Sequence, residues 1–153
     1  MIIKKVKGDL IKLAKEGHFN AIAHGCNCFN TMSKGIAKQI KIDFPLAYQV
    51  DLSTVKGDIR KLGTYTVATV NNVNGELDVI NCYTQYKYYG NSVLVDYNAI
   101  RSCFEEINID YGGLTVGIPK IGAGLAGGDW DVIENIINES TPNVNIILVE
   151  LKE

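Results

Sequence analysis

The sequence predicts an α/β protein in which a central mixed six-stranded sheet lies between two layers of helices. Segments with the apolar spacing of strands alternate with segments of helical spacing over all 153 residues. No linker rich in serine or proline interrupts this alternation, and the chain has only 3 Pro. With 46% hydrophobic residues, the chain is long enough to bury a core of its own. We therefore expect a single domain over residues 1–153, with a three-layer α/β/α architecture.

The first half of the chain is expected to contribute two strands and two helices. Gly8 and Asp9 mark the start of the first helix, where Asp9 is a candidate N-cap. Phe44-Pro45 is expected to close the second helix, and the polar residues 51–62 show no clear period. The predicted segments are a strand over 2–7, a helix over 10–16, a short buried strand over 20–24 and a helix over 34–41.

The second half is expected to complete the sheet with four strands and two helices. Asp96 opens a helix whose apolar residues recur at helical spacing, so one face of it belongs to the core. In the last helix, Val132 and Ile133 are expected to be buried. The predicted segments are strands over 64–70, 77–82, 114–118 and 144–151, and helices from Asp96 and over 129–139.

The charge balance argues against partners that are held by general electrostatic attraction. A formal net charge of −2 does not draw the chain to nucleic acid or to a membrane surface. No apolar run approaches the ~20 residues that span a bilayer. Lysines also interrupt the first apolar residues too early for a secretory signal. We expect a cytoplasmic monomer with no membrane partner, and nucleic acid only as a modified substrate.

Cysteine usage indicates free thiols rather than a disulfide framework. Cys26, Cys28, Cys82 and Cys103 occur in a chain that can build its own core. Cys26-x-Cys28 lies close to His24, but it lacks the usual two to four intervening residues of a zinc knuckle and a fourth ligand. We therefore expect no metal ion and no cofactor.

A glycine-rich loop follows the strand predicted over 114–118. Four glycines fall within seven residues from Gly122 to Gly128, and a helix begins directly afterwards. A loop that leaves the carboxyl end of a strand and enters a helix points free backbone amides into a crevice, which suits a phosphate or diphosphate. The alternative is a flexible turn. The chain has no Walker motif and no dinucleotide fingerprint at this loop.

A second polar loop of the same kind follows the strand over 20–24. Small residues lead from this loop into the next helix, so its amides can form the facing wall of one ligand site. Asn27 can offer its amide to a sugar hydroxyl, or it can satisfy its own loop. Lys34 can face the ligand, or it can be a solvated lysine of the first helical turn.

Three motifs occur in order along the chain: Gly8-Asp9-Leu10, Asn27 with Gly35-Ile36-Ala37, and Gly122-Ala123-Gly124-Leu125-Ala126-Gly127. In this order they resemble the macrodomain family, an ADP-ribose-binding α/β/α module, over nearly the whole chain. The resemblance implies that Asp9 binds the adenine amino group, that Asn27 holds the distal ribose, and that loop amides hold the phosphates. ADP-ribose or ADP-ribose 1″-phosphate is then the expected ligand.

Within this family the chain is similar to the small ADP-ribose 1″-phosphate phosphatases of yeast and bacteriophages. It is also similar to glycohydrolases that remove ADP-ribose from glutamate side chains or DNA bases. Those enzymes use a lysine shortly after the fourth strand, where this chain has Gln85, with Lys87 two residues later. The protein-directed enzymes have an aspartate where this chain has Ala126. We expect hydrolysis of ADP-ribose 1″-phosphate; the alternatives are an ADP-ribosyl glycohydrolase and a non-catalytic ADP-ribose reader.

Two side chains are the candidates for catalysis. His24 can exchange a proton near neutral pH, or it can serve only to orient its loop. Asp129 can position water or His24, or it can simply cap the last helix. The expected ligand-binding residues are Asp9, Leu10, Gly25, Asn27, Ser33, Lys34, Gly35, Ile36, Ala37, Thr84, Gln85, Pro119, Ile121, Gly122, Ala123, Gly124, Leu125 and Ala126.

Overall fold

Six strands and five α-helices alternate along the chain in a computed structural model that describes residues 1–90 and 92–152. The strands are β1 (Ile2–Lys7), β2 (Ala21–Cys26), β3 (Tyr65–Asn72), β4 (Gly75–Tyr83), β5 (Thr115–Ile118) and β6 (Asn145–Glu150). The helices are α1 (Leu10–Lys15), α2 (Gly35–Asp43), α3 (Pro45–Leu52), α4 (Tyr97–Asp110) and α5 (Trp130–Ser140).

The strands form one mixed sheet in the order β1-β6-β5-β2-β4-β3. All neighbouring pairs are parallel except β3 and β4, which form an antiparallel pair joined by a short turn. The carboxyl ends of the five parallel strands therefore share one edge of the sheet, and the loops that follow β2 and β5 emerge there as neighbours. The predicted fold class, a mixed six-stranded sheet flanked by helices, is confirmed.

Both faces of the sheet are covered by apolar helix faces, because the parallel strands are hydrophobic on both sides. One cluster packs α4 and α5 against the sheet, with Phe104 and Ile137 fully buried. The other packs α1, α2 and α3 against the opposite face, with Ile40 and Ala47 fully buried. The three layers hold the strand ends, and thus the loops between them, in fixed positions.

The prediction missed one helix. The helix α2 does end at Phe44-Pro45, with Phe44 as its C-cap, but Pro45 also occupies the first turn of a new helix, α3. Proline suits that position because it has no amide hydrogen to leave unpaired and its φ angle is already helical. Within the polar stretch 51–62, a 3₁₀ turn forms over Ile59–Lys61. Val132, expected in the core, is 40% exposed on α5.

All four cysteines are free, as predicted, and all four are buried. In residues 1–90 and 92–152, no helix combines the length and the apolarity that crossing a membrane requires. The same residues contain no group of three or more histidine, cysteine, aspartate or glutamate side chains placed to hold a metal ion.

Gly117 in β5 offers a test of how tightly the sheet packs on its helices. A β-carbon at Gly117 would lie 2.8 Å from Cε2 of Phe19, a buried ring. We expect Gly117→Ala to lower the free energy of unfolding by about 1–3 kcal/mol, because the ring must move in a close-packed interior. Urea denaturation measures this change.

The matched control for Gly117→Ala is Gly112→Ala, where the new β-carbon would lie 3.4 Å from the Asn108 carbonyl oxygen. This control should change the free energy of unfolding by less than about 0.5 kcal/mol. Equal effects of the two substitutions would contradict the packing described for β5.

Candidate ligand-binding cleft

A cleft of about 500 Å³ opens at the carboxyl edge of the sheet, between the loops that follow β2 and β5. Its size suits a nucleotide-like ligand. Most of the predicted ligand-binding residues meet there, although they come from distant parts of the chain. Those that line the cleft are Gly25, Asn27, Ser33, Lys34, Gly35, Ile36, Ala37, Thr84, Gln85, Pro119, Ile121, Gly122, Gly124, Leu125 and Ala126.

The amino end of α2 forms one wall of the cleft. Gly35 begins the helix with a positive φ of 57°, and Lys34 at the N-cap makes no side-chain capping bond. Within the described residues, the amides of Gly35, Ile36 and Ala37 have no hydrogen-bond acceptor. Three free N–H groups at a helix N-terminus, where the peptide dipoles add to a partial positive charge, make an anion site.

The glycine-rich loop after β5 forms the opposite wall. Its turn is closed by a hydrogen bond from the Gly128 amide to the Gly122 carbonyl oxygen, 2.7 Å long. In the part of the chain that the structure describes, the amides of Gly122, Gly124 and Leu125 find no acceptor. The two walls come close to each other: a β-carbon built on Gly35 would lie 3.7 Å from Leu125 Cδ1.

Asn27 lies in the cleft, but its side chain is already engaged by its own loop. Its Oδ1 accepts from the Phe29 amide at 2.8 Å, and its Nδ2 donates to Thr31 Oγ1 at 2.7 Å. Asn30 and Met32 adopt positive φ angles of 59° and 40° in the same loop. This conformation costs free energy in residues other than glycine, so the surrounding contacts hold the loop in place. A ribose contact would exchange one of the bonds of Asn27.

Aromatic side chains from the loop after β4 flank the cleft. Tyr88 and Tyr89 line it, and their ring centroids are 5.1 Å apart in an edge-to-face arrangement. Phe29 lies 5.8 Å from Tyr88 and 5.0 Å from Tyr86, so the rings form a continuous row. Gln85 also lines the cleft, whereas Lys87 is exposed, and its carbonyl oxygen accepts a hydrogen bond from Gln85 Nε2.

His24 is placed behind the cleft rather than on its surface. Its side chain is fully buried in β2, and Nε2 lies 2.7 Å from Asn81 Oδ1 on the neighbouring strand. Burial lowers the pKa of His24 from 6.5 to about 4, since the apolar surroundings disfavour the charged ring. The side chain is therefore neutral near pH 7, and it does not reach the ligand surface.

Asp129 and Asp9 both cap helices. Asp129 Oδ1 accepts from the Asp131 amide at 2.9 Å at the start of α5, outside the cleft lining. Asp9 Oδ1 accepts from the amides of Ile11 and Lys12, and Asp9 lines a separate cavity of about 340 Å³. Leu10 is buried in the core, and Ala123 lies outside the lining of both cavities.

Several residues that line the cleft were missed by the sequence reasoning. Cys26, Thr31 and Met32 belong to the predicted loop and could have been included on position alone. Lys120 follows Pro119 in the second loop. No sequence pattern indicated that Asp51 lines the cleft, because the helix that brings it there, α3, was not predicted.

Known structures that share this fold include several macrodomains. A Bacteroides thetaiotaomicron protein described as being of unknown function is 30% identical, with a TM-score of 0.78 over 98% of each chain. The macrodomain of Mycobacterium tuberculosis DarG is 21% identical, with a TM-score of 0.75 over 97% of each chain. Thermosipho africanus DarTG, solved with ADP-ribose, is 15% identical, with a TM-score of 0.76 over 98% of this chain and 42% of that one.

Curated relatives extend the likeness to sequence, although no protein-family model matches the chain. An uncharacterized 17.5 kDa protein of Enterobacteria phage T4 is 38% identical, over 98% of this chain and 97% of that protein. The ADP-ribose 1″-phosphate phosphatase of Debaryomyces hansenii is 28% identical, over 97% and 100%. The DNA ADP-ribosyl glycohydrolase of Mycobacterium bovis is 26% identical over 92% of this chain, which spans 40% of that enzyme. The chain is thus related over almost its full length to the phage T4 protein, and its fold is that of the macrodomains.

Burial of neutral His24 predicts a loss of stability in acid. The unfolded chain takes up a proton at this residue near pH 6.5, whereas the folded chain resists protonation until about pH 4. As the pH is lowered from 6.5 to 4, the free energy of unfolding should therefore fall, by up to about 3 kcal/mol from this residue. NMR of the His24 ring should show the neutral form at pH 5.5. A ring that is already protonated at that pH would contradict the buried placement.

Proposed function

We propose that this protein binds ADP-ribose in the cleft and hydrolyses ADP-ribose 1″-phosphate to ADP-ribose and phosphate. The observation that carries the proposal is the pair of facing walls whose free amides converge on one space. Six amides without an acceptor, from residues 35–37, 122, 124 and 125, can bind several phosphate oxygens. The macrodomain fold and the relative named as a phosphatase of this substrate support the same ligand.

The second cavity gives room for the adenosine end of the ligand. Lys120 lines the cleft and Lys7 lines the second cavity, and both approach the same carboxylate oxygen of Glu150, at 3.9 and 3.3 Å. The two cavities therefore lie on either side of the end of β6. Since strands are about 4.8 Å apart, the step from β1 to β5 is about 10 Å, which a diphosphate can span together with the riboses at its two ends. Adenine would then lie near Asp9 and the distal ribose near Asn27.

The same amides can assist the hydrolysis of a terminal phosphate. Removal of a phosphoryl group needs its three oxygens to be held and their charge to be stabilised while water attacks in line. Preorganised amides supply that stabilisation without reorientation during the reaction. Lys34 and Lys120 add positive charge at the rim of the cleft.

The second candidate is an ADP-ribosyl glycohydrolase, because a relative of that name matches 92% of this chain. A lysine-dependent reaction of that kind would need a lysine at the distal ribose. Gln85 lines the cleft where that lysine is expected, and Lys87 is exposed and lies outside the cleft lining. The geometry therefore favours phosphate hydrolysis.

Asp9 tests the placement of adenine. Asp9→Ser should weaken ADP-ribose binding at least tenfold in calorimetry, because serine is too short to reach the adenine amino group. Serine still caps α1, so the free energy of unfolding should change by less than about 1 kcal/mol. Asp96→Ser, at the N-cap of α4, is the matched control and should leave the affinity unchanged. An unchanged Kd in Asp9→Ser would place adenine elsewhere.

Substrate preference tests the proposed reaction. The protein should release phosphate from ADP-ribose 1″-phosphate faster than it releases ADP-ribose from ADP-ribosylated DNA or glutamate-modified protein. Chromatography of the products separates these activities. Release of ADP-ribose alone would favour the glycohydrolase, and tight ADP-ribose binding without any turnover would identify a reader.

A charge introduced at Leu125 tests where the phosphates bind. Its side chain is 74% exposed at the mouth of the cleft, so its replacement does not disturb the core. Leu125→Glu should raise KM at least tenfold relative to the isosteric Leu125→Gln, because a carboxylate there repels the phosphates. Equal KM values in the two variants would show that the phosphates bind elsewhere.

A further inference from the structure

A buried carboxyl group forms part of the cleft floor and is incompletely hydrogen-bonded. Asp51, on the last turn of α3, is only 1% exposed and lines the cleft together with Cys26 and Asn27. Its Oδ2 is buried and has no hydrogen-bond partner. Leaving a buried oxygen of this kind unpaired costs about 1–3 kcal/mol, so a partner from the cleft is expected.

A second unpaired oxygen lies in the same cleft. Thr84 is 1% exposed, and its Oγ1 also lacks a partner. Gly25 leaves room for that hydroxyl, because a β-carbon at Gly25 would lie 2.7 Å from Thr84 Oγ1. Two unpaired buried oxygens from residues that line one cleft indicate that a polar group of the ligand, or a water held with it, belongs there.

The other oxygen of Asp51 is fixed by the sheet. Tyr83 donates its hydroxyl hydrogen to Asp51 Oδ1 at 2.7 Å, and the same hydroxyl lies 3.2 Å from Thr66 Oγ1. Asn81 donates to Thr66 Oγ1 at 3.2 Å and contacts His24 through its own Oδ1. This series of hydrogen bonds holds the Asp51 carboxyl group in one orientation. Since Oδ1 accepts from Tyr83, a proton on the carboxyl group lies on Oδ2, which is the free oxygen.

Burial and the neighbouring groups act on the protonation of Asp51 in opposite directions. Burial raises the pKa of Asp51 above its usual range, while the Tyr83 hydrogen bond and the charge of Lys61 oppose this rise. Lys61, on the 3₁₀ turn, is held instead by Asn30 Oδ1 at 2.6 Å and Thr54 Oγ1 at 2.9 Å.

The remaining titratable groups near Asp51 are the thiols of Cys26 and Cys28. Burial raises the pKa of both thiols, to about 11 for Cys28, so they are neutral at physiological pH. They place no negative charge beside the carboxyl group. Asp51 is therefore the one carboxyl group among the described residues that line the cleft, and it combines a fixed orientation with an unpaired oxygen.

We propose that Asp51 is the acid–base residue of the hydrolysis, acting through Oδ2 on the oxygen that joins C1″ to phosphorus. Water attacks phosphorus while the bond from phosphorus to that oxygen breaks. The Oδ2 proton passes to the departing oxygen, which becomes the C1″ hydroxyl of ADP-ribose. The surplus proton of the attacking water then restores the carboxylic acid, so the net reaction consumes one water and releases hydrogen phosphate. This assignment rests on the proposed function.

Asp51→Asn is the direct test, because asparagine keeps the size of the side chain and the acceptor for Tyr83 but cannot donate an acidic proton. We expect kcat for ADP-ribose 1″-phosphate to fall at least 100-fold, while the Kd for ADP-ribose by calorimetry changes less than threefold. The wild-type kcat should fall as pH rises and Asp51 ionises, and the variant should lose this limb of the profile.

Tyr83→Phe gives a second readout that a purely structural role of Asp51 would not move. Loss of the hydrogen bond to the ionised carboxylate raises the pKa of Asp51, so the falling limb of kcat should shift to higher pH. Asp78→Asn is the matched control, since Asp78 Oδ2 accepts from the Tyr111 hydroxyl at 2.8 Å in the same way. Asp78 does not line the cleft, so the kcat of the Asp78→Asn variant should stay within twofold of wild type.

The outcomes separate the two claims. An active wild-type protein whose Asp51→Asn variant keeps kcat within threefold and retains the same pH profile would overturn the role of Asp51 alone. A loss of ADP-ribose affinity that matches the loss of activity would also overturn it, because the residue would then act in binding. Wild-type protein that releases no phosphate would refute the proposed function, and the assignment of Asp51 with it.

Discussion

The cleft depends on the parallel pairing of β2 with β5 at the centre of the sheet. Ala21 pairs with Val116 and Ile22 with Gly117, so the two strands run side by side and end at the same edge. The pairing brings together loops that are separated by about ninety residues of chain. Apolar helices cover both faces of these strands and exclude water from their backbone hydrogen bonds. With this pair in place, two short sequences become the walls of one site.

In the proposed function, the walls bind anions through the backbone rather than through arginine. The chain has only two arginines, and both are paired away from the cleft, Arg60 with Asp58 and Arg101 with Glu139. Backbone amides are fixed by the fold and carry no full charge, so a site made of them does not require a basic surface. This explains how a chain with a formal net charge of −2 can be built to hold a diphosphate.

Local patterns predicted the elements and the two walls, whereas contacts between distant segments decided the chemistry. The loops at Gly35 and Gly122 could be predicted because strand, glycine and helix signals follow one another directly in the sequence. The position of His24 behind the cleft depends on its pairing with Asn81, and that pairing is a property of the whole sheet. Asp51 could not be found because Pro45 was interpreted as the end of a helix when it begins one.

The central claim is that the free amides of the two loops hold the phosphates of ADP-ribose. An NMR titration of uniformly ¹⁵N-labelled protein with ADP-ribose tests this claim most directly. The account predicts that the largest shift changes occur at the amides of Gly35, Ile36, Ala37, Gly122 and Gly124, and that adenosine alone leaves these amides unshifted. Shift changes confined to other parts of the chain, or equal changes with adenosine, would contradict it.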